Sequence, residues 1–185
     1  MQWNIPGTVL SAPVEETCQI EQRFRAMFLG GGIVLSQIAS ITGLEPYTIQ
    51  NWVKRGFLSK PQGKKYTLNQ FCRILNINML KDALQMEEIC GLMTYINGQL
   101  DDESDDIIDD SQLYFLFLCI AAHYRQTNDP EDMEQYICET LEDYRDQMLH
   151  ERVRVKKVLE VMLTAWAASL LRQKAVAMVD GLKND

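Results

Sequence analysis

The stretch TGLEPYTIQNWVKRGFL, residues 42–58, places a tryptophan inside a short helical pattern that ends at Lys-Arg-Gly. Pro46 suits the first position of a helix, where its missing N–H would have no helical partner in any case. Ile49 and Trp52 then recur at helical spacing, and the glycine after Lys-Arg can stop the helix. The pattern predicts a helix over residues 46–55 with one apolar face and one polar face.

The polar face of this predicted helix carries aromatic, hydroxyl, amide and basic side chains, namely Tyr47, Thr48, Gln50, Asn51, Lys54 and Arg55. Gln and Asn can form paired hydrogen bonds with adenine, and Lys and Arg can reach guanine or phosphate. The composition of this face therefore indicates contact with DNA.

A second helical pattern precedes the first. Leu35, Ile38, Ala39 and Thr42 fall on one face of a short helix, with Ser36 expected to cap its start. Gly43 can adopt the positive φ that a sharp turn between two helices requires. Two short helices joined in this way are typical of a helix-turn-helix, whose second helix is free to enter the major groove.

A basic turn follows, SKPQGKKY, residues 59–66. Its lysines, Lys60, Lys64 and Lys65, are placed to contact phosphate beside the groove, so we predict a small wing closed by Tyr66. Thr67 and Gln70 then fit a capping box, which predicts the start of the next helix. A further amphipathic helix is predicted at residues 86–96.

The charge of the chain is unevenly distributed. The whole chain carries a formal net charge of −8. Residues 33–85 nevertheless contain seven basic and two acidic residues, an excess of five positive charges, so the remainder has an excess of thirteen negative charges. This asymmetry predicts a basic nucleic-acid-binding module attached to an acidic body.

These residues together resemble the winged helix-turn-helix domain of MerR-type transcription regulators. The shared features are I-A-x-x-T-G-L at 38–44, P-x-T-I at 46–49, Trp52, Gly-Phe-Leu at 56–58, Tyr66 and Met-Glu-Glu-Ile at 86–89. The resemblance implies DNA contacts from the exposed face of the helix 46–55 and from the wing 59–66. With YINGQLDDESDDIIDDSQLY (95–114), the chain also resembles domain of unknown function family 1836, uncharacterised bacterial proteins thought to include MerR-like regulators.

The C-terminal part of the chain predicts three more helices. Residues 111–124 are expected to form a buried helix, and Pro130 begins another whose inward stripe is Met133, Ile137, Leu141, Tyr144 and Met148. The last helix is expected from about 151 to 179, ended by Asp180-Gly181. Its middle, residues 158–171, is apolar on nearly every side, so we expect a partner subunit to cover it and hold a homodimer through this helix.

The predicted organisation is therefore an all-α chain in four parts. An N-terminal arm (1–32) precedes the MerR-like winged helix-turn-helix (33–98), and an acidic linker (99–110) leads to a helical dimerisation or sensing domain (111–185). We expect a cytoplasmic protein because no signal peptide is visible and five scattered cysteines suit reduced thiols. The most apolar run has ten residues, against about 20 for a membrane span.

The sequence gives little support for a metal site or for catalysis. A calcium loop counted from Asp101 would need Gly at its sixth position and Glu at its twelfth, but Asp106 and Gln112 stand there. We favour a solvated linker for this acidic run, and pairing of its carboxylates with the basic module in the absence of DNA stays open. Cys119 and His123, four residues apart, are too few for a zinc site. We expect no catalytic residues, no metal and no cofactor.

The function predicted from these patterns is that of a bacterial-type transcription regulator that binds specific double-stranded DNA as a dimer. The alternative is an adaptor that uses the winged module for protein contacts without DNA. An enzyme with its site in the apolar body ranks third. The operator, the existence of a small-molecule effector, and activation versus repression are not specified by the sequence.

Overall fold

The computed structural model describes residues 2–98, 100, 106–127, 130–142 and 149–182. Within these ranges, eight α-helices and two small antiparallel sheets make a mainly α fold. The expectation of a mainly helical protein is confirmed, and the strict all-α expectation is corrected by four short strands. These strands are only two or three residues long, and such short runs leave no alternation pattern in the sequence.

The elements follow one another in this order. β1 (Gln2–Asn4) pairs with β2 (Ser11–Pro13), and a 3-10 turn (Val14–Glu16) leads into α1 (Thr17–Met27). β3 (Ile33–Val34) continues directly into α2 (Leu35–Thr42), followed by α3 (Pro46–Lys54) and β4 (Lys65–Tyr66), which pairs with β3. The remaining helices are α4 (Leu68–Leu80), α5 (Met86–Asn97), α6 (Asp110–Thr127), α7 (Pro130–Thr140) and α8 (Leu149–Leu182).

Local sequence signals determine several helix boundaries. Pro46 stands at the first position of α3, as predicted. The capping box that opens α4 is also confirmed, since Thr67 Oγ1 accepts from Gln70 N–H at 3.2 Å and Gln70 Oε1 accepts from Thr67 N–H at 3.0 Å. The prediction that Ser36 caps α2 was wrong. The helix starts at Leu35, directly from β3, so Val34 rather than Ser36 is its cap residue, and Gln37 Oε1 accepts from Val34 N–H at 2.9 Å.

One connected hydrophobic core joins the N-terminal strands to the last helix. Trp166 of α8 meets Trp3 of β1 edge-on at 6.2 Å between ring centroids. Tyr114 of α6 is fully buried and donates its hydroxyl to Pro6 O at 2.8 Å. Side chains from the predicted arm, module and body therefore pack on one another, while the division into domains stays a prediction.

One side of the middle of α8 is covered by the same chain, whereas Val161 and Leu171 remain exposed. Val158, Leu159, Met162 and Trp166 are buried, and α4, α5, α6 and α7 pack against this helix. The N-terminal strands and α4, which the sequence did not assign to this role, contribute to the cover. The partner subunit that the sequence predicts for this segment stays a prediction. The helix also runs through Gly181, where a stop was expected. Tyr144 and Met148 lie outside the described residues.

The acidic run does not end as a solvated linker. Asp110 is the first residue of α6 and is buried, and its Oδ2 lies 3.1 Å from Arg73 Nη1 of α4. Ile108 is buried as well. Residues 101–105, the start of the run, lie outside the described residues. In the part of the chain that is described, no helix combines the length and the apolar character that crossing a bilayer requires.

Candidate nucleic-acid interface

α3 presents one polar face to solvent because its other face is anchored in the core. Ile49 and Trp52 are buried, as their spacing predicted. Of the six predicted contact residues on this helix, five are exposed and Thr48 is half-buried; the exposed ones are Tyr47, Gln50, Asn51, Lys54 and Arg55. The predicted polar face is thus a real surface of the folded chain.

The turn between α2 and α3 is held by polar contacts from distant elements. Gly43 has φ 70°, and a Cβ there would stand 2.5 Å from a methyl of Val9. Thr42 O accepts from Asn78 Nδ2 at 3.1 Å, and the same amide donates to Gly7 O at 2.9 Å. Glycine is needed here both for its backbone conformation and for the close approach of the N-terminal segment. The angle between the two helices is therefore fixed from α4 and from the N-terminus.

The loop from Ser59 to Tyr66 forms a tight basic projection beside α3. Gln62 and Lys65 pair across its tip, where Gly63 (φ 53°) and Lys64 (φ 64°) both take left-handed backbone conformations. Lys60, Lys64 and Lys65 are exposed. Such a conformation is unfavourable for a residue with a Cβ, by about 1 kcal/mol or more. The strained position holds a lysine side chain at the tip.

Tyr66 differs from the other predicted contact residues. Its side chain is only 3% exposed and belongs to the core, and burial raises the pKa of its phenol. The prediction that Tyr66 contacts a ligand is therefore corrected: β4 alternates, so that Lys65 points outward and Tyr66 inward. Its place is to anchor the base of the loop.

Two open grooves connect the polar face of α3 with the basic loop. One, of about 540 Å³, is lined by residues that include Gln50, Val53, Pro61 and Lys64, together with Ser36 at the start of α2. The other, of about 670 Å³, lies across the loop and includes Lys54, Lys60 and Gln62. The structure thus brings predicted residues of the helix and the loop together in pairs, Gln50 with Lys64 and Lys54 with Lys60.

Ser36 and Pro61 were not predicted as members of this surface. Ser36 was interpreted as a cap, yet it is exposed and lines the groove beside Gln50 and Lys64. Pro61 was interpreted only as part of a turn. No local signal marks either residue, because the groove depends on how β3 and β4 bring the start of α2 next to the loop.

α4 supports the surface from beneath through two side chains. The Gln70 amide donates to Ser59 O, Ser59 Oγ and Lys60 O at 2.9–3.2 Å, so it holds the start of the loop. Arg73 Nε donates to Phe57 O at 3.0 Å, just after α3, while its Nη1 pairs with Asp110. The exit of α3 and the first residue of α6 therefore share one buried guanidinium.

The exposed charge differs from the charge counted along the sequence. Arg73 contributes to the positive excess of residues 33–85, but it is buried and neutralised by Asp110. Arg55 remains at the surface, stacked over the Phe57 ring at 4.5 Å and 3.6 Å from Glu87 of α5. The basic character of the surface therefore rests on Lys54, Arg55 and the three lysines of the loop.

The described residues give little support for a metal site or for a reactive thiol. Among the described residues there is no group of three or more His, Cys, Asp or Glu side chains that could hold a metal ion. The ring of His123 stacks on Tyr136 at 3.7 Å between centroids, and Cys119 is half-buried. Burial raises the pKa of the Cys72 thiol well above its usual value, which keeps it protonated and unreactive.

Comparisons with known proteins give a family match without an assigned activity. Residues 34–117, from β3 into α6, match the family described as "Domain of unknown function (DUF1836)". The chain is also similar to the "Uncharacterized protein YkrK" of Bacillus subtilis (strain 168), at 28% identity over 124 residues, 64% of this chain and 52% of that protein. The chain thus spans about half the length of this curated relative. No solved structure matches.

Proposed function

We propose that the protein is a cytoplasmic transcription regulator of bacterial type that binds specific double-stranded DNA as a homodimer. In this proposal α2, the Gly43 turn and α3 are a MerR-like helix-turn-helix, and the loop 59–66 is its wing. The observation that carries the proposal is that exposed side chains of α3 share grooves with exposed lysines of the adjoining loop, Gln50 with Lys64 and Lys54 with Lys60.

The two parts of this surface have different chemistry, and we assign them different tasks. Gln50 and Asn51 are exposed near the middle of α3, where side chains of a helix in the major groove reach base edges. They can pair with adenine and thereby discriminate between sequences. Lys64 lies at the tip of the projecting loop, and Lys65 follows it in β4, where its Nζ donates to Gly30 O at 3.1 Å. Both side chains are exposed, which suits contact with the phosphate backbone, and such contacts carry no sequence information.

The experiment that tests the proposal starts from selection of bound fragments from a random double-stranded DNA library with the purified chain. We expect an enriched sequence, bound with an affinity that falls as salt is raised, because binding displaces counterions from DNA. Absence of any enrichment, together with unmeasurable affinity for DNA at low salt, would contradict the proposal.

An adaptor function is the second candidate, and the groove beside Lys64 favours it. Most of the residues that line this groove are apolar, including Val34, Leu35, Val53 and Pro61, as in a groove that accepts a peptide. The overall negative charge also opposes DNA outside the basic surface. A protein captured through this groove, whose binding is lost in Val53→Asp while no DNA is bound by the unmodified chain, would favour the adaptor.

A further inference from the structure

A small polar cavity lies beneath the basic loop, where α4, α5 and the start of α6 meet. It has a volume of about 30 Å³ and is partly enclosed. Its lining includes Ser59, Gln70, Arg73, Asn97, Asp106 and Asp110. A cavity of this volume has room for roughly two groups of the size of a water molecule, so only a small chemical group fits inside it.

Asn97, the last residue of α5, gives the cavity unused hydrogen-bonding capacity. Its side chain is 4% exposed, and neither Nδ2 nor Oδ1 has a hydrogen-bond partner among the described residues. Asp110 Oδ1 is also buried and, within the described chain, unpaired, although Oδ2 of the same carboxylate pairs with Arg73. Buried polar atoms of folded proteins are nearly always hydrogen-bonded, because an unpaired one is costly. These atoms therefore indicate a polar ligand in the cavity.

The charge of the lining determines the sign of that ligand. Asp106 and Asp110 carry two negative charges and Arg73 carries one positive charge, so the described lining has a net charge of −1. The guanidinium is already engaged, since Nη1 pairs with Asp110 and Nε donates to Phe57 O. An anion would meet two carboxylates, whereas a small cation would compensate the excess negative charge.

We propose that the cavity binds the ammonium head of a small aliphatic primary amine. An ammonium group has three N–H donors and no acceptor. Acceptors from three side chains line the cavity, namely the carboxylates of Asp106 and Asp110 and Oδ1 of Asn97. Met93 and Leu100 add apolar surface to the lining, which an alkyl chain can contact. A water molecule would pair with Asn97 as well, but it would leave the negative charge uncompensated.

The cavity shares residues with the support of the loop 59–66. The Gln70 amide holds Ser59 and Lys60 by hydrogen bonds, and Arg73 holds Phe57 O. A bound ammonium group therefore lies next to the side chains that fix the exit of α3 and the start of the loop. We expect the amine to change the affinity for DNA. That consequence rests on the proposed function, whereas amine binding itself does not.

Amine binding is tested without DNA, by thermal unfolding of the full chain with n-butylamine and with putrescine at constant ionic strength. The melting temperature should rise and then saturate as the amine concentration increases, because a ligand that binds only the folded state stabilises it. Tetramethylammonium chloride and potassium chloride are the controls, since they supply positive charge but no N–H donor. No rise with either amine, as expected if water alone fills the cavity, or an equal rise with the controls would overturn the site.

Two variants and a matched control assign the effect to the cavity. Asn97→Leu should lose most of the amine effect while the ligand-free chain keeps its stability, because the substitution removes two unpaired polar atoms. Asp106→Asn, at a half-buried position, should weaken amine binding about ten-fold through loss of a charged partner. Asp109→Asn is the control, because Asp109 is exposed and lies outside the lining. An amine effect that persists in Asn97→Leu or Asp106→Asn, or that is lost equally in Asp109→Asn, would overturn the assignment.

The coupling to DNA is measured separately, by fluorescence anisotropy on the selected DNA site. Putrescine should change the affinity of the unmodified chain more than that of Asn97→Leu, and this comparison removes the effect of the amine on the DNA itself. Equal changes in the two proteins would overturn the coupling, while the thermal unfolding experiment decides the site.

Discussion

Individual residues of the candidate surface divide into those that contact solvent and those that hold them in place. Gln50 and Asn51 are exposed on α3, whereas Ile49 of the same helix is buried in the core and anchors it. The same division separates Lys65, which points outward, from Tyr66, which is buried. Substitution of the outward residues should therefore alter binding while the free energy of unfolding stays nearly constant, which makes their roles separable by experiment.

The double variant Gln50→Ala, Asn51→Ala should bind the selected DNA sequence more weakly and with less discrimination. Each lost bidentate contact with a base costs about 1–3 kcal/mol. Affinities for the selected site and for scrambled DNA, measured side by side at one salt concentration, check this. Ser40→Ala, an exposed polar residue of α2 that lines neither groove, is the control. Retention of full discrimination by the double variant would remove α3 from the role of recognition helix.

Neutral variants of the wing, Lys64→Gln and Lys65→Gln, should weaken binding to all DNA sequences alike. Each lost phosphate contact should reduce the slope of log affinity against log salt by about one. Lys81→Gln is the matched control, because Lys81 is exposed after α4 and lines neither of the two grooves. If a wing variant instead changed which sequence is preferred, the wing would be contacting bases.

Removal of Arg73 should cost far more stability than removal of an exposed arginine. Arg73→Met leaves the Asp110 carboxylate buried without its ionic partner, which destabilises a protein by about 3–5 kcal/mol. The double variant Arg73→Met, Asp110→Leu should recover much of this loss, because no buried charge remains. Denaturant titration measures both. Equal destabilisation in the single and double variants would show that shape, rather than charge, dominates at this position.

The Arg73→Met variant should also show a characteristic pH dependence. Burial already raises the pKa of Asp110 in the unmodified chain, although Arg73 opposes the shift. Without Arg73 the pKa rises further, so the folded state holds a proton that the unfolded state has released above its ordinary pKa of about 4. The stability lost by the variant should therefore be small near that pH and grow as the pH rises toward neutral. Denaturant titrations of variant and wild type at several pH values check this.

At the scale of elements, the sequence predicts what local chemistry determines and misses what depends on distant partners. Pro46, the Gly43 turn and the Thr67–Gln70 box are signals within a few residues, and the helices around them were predicted correctly. The start of α2 was misplaced because β3 pairs with a strand more than thirty residues later. That pairing also forms the groove that includes Ser36, so the same missing contact hid a residue of the candidate surface.

The charge of the candidate surface was also only partly predictable from the sequence. The positive excess of residues 33–85 is visible in the sequence, but the burial of Arg73 against Asp110 joins residues 37 positions apart. No periodicity in the sequence indicates that pairing. Arg73 was therefore counted among the basic residues of the surface, although it is buried. The cover of α8 was missed for a comparable reason, since Trp3 reaches Trp166 across nearly the whole chain.

One element-scale prediction separates the helix cap of α4 from its support of the wing. Thr67→Ala should lower the free energy of unfolding by about 1 kcal/mol through loss of the cap. Gln70→Ala removes the reciprocal cap bond and also the three hydrogen bonds to Ser59 and Lys60. Only Gln70→Ala should therefore speed amide hydrogen exchange across residues 59–66. Equal exchange in the two variants would show that Gln70 does not hold the loop.

In the proposed function, each copy contacts DNA through one small surface, and two copies associate through the last helix. A single module contacts too few bases to select one site in a genome, and a dimer doubles the number read. The last helix, α8, is a different element from α3 and the loop 59–66, and it includes none of the residues assigned to DNA. Assembly and DNA contact can therefore be altered independently, which is the condition for testing how one depends on the other.

The proposed dimer predicts the form of the DNA site. Two copies related by a two-fold axis present their α3 helices to two half-sites of inverted sequence, separated by about one helical turn or a multiple of it. We expect the selected sequences to be palindromic, and the unmodified chain to bind the full site far more tightly than a single half-site. Inserting about half a helical turn, roughly 5 base pairs, between the half-sites should abolish the advantage of the full site for the unmodified chain, since the second α3 would face the wrong side of the duplex. Gel shift and fluorescence anisotropy measure these affinities. A selected site without inverted symmetry, or one bound equally well after the insertion, would contradict recognition by a two-fold dimer.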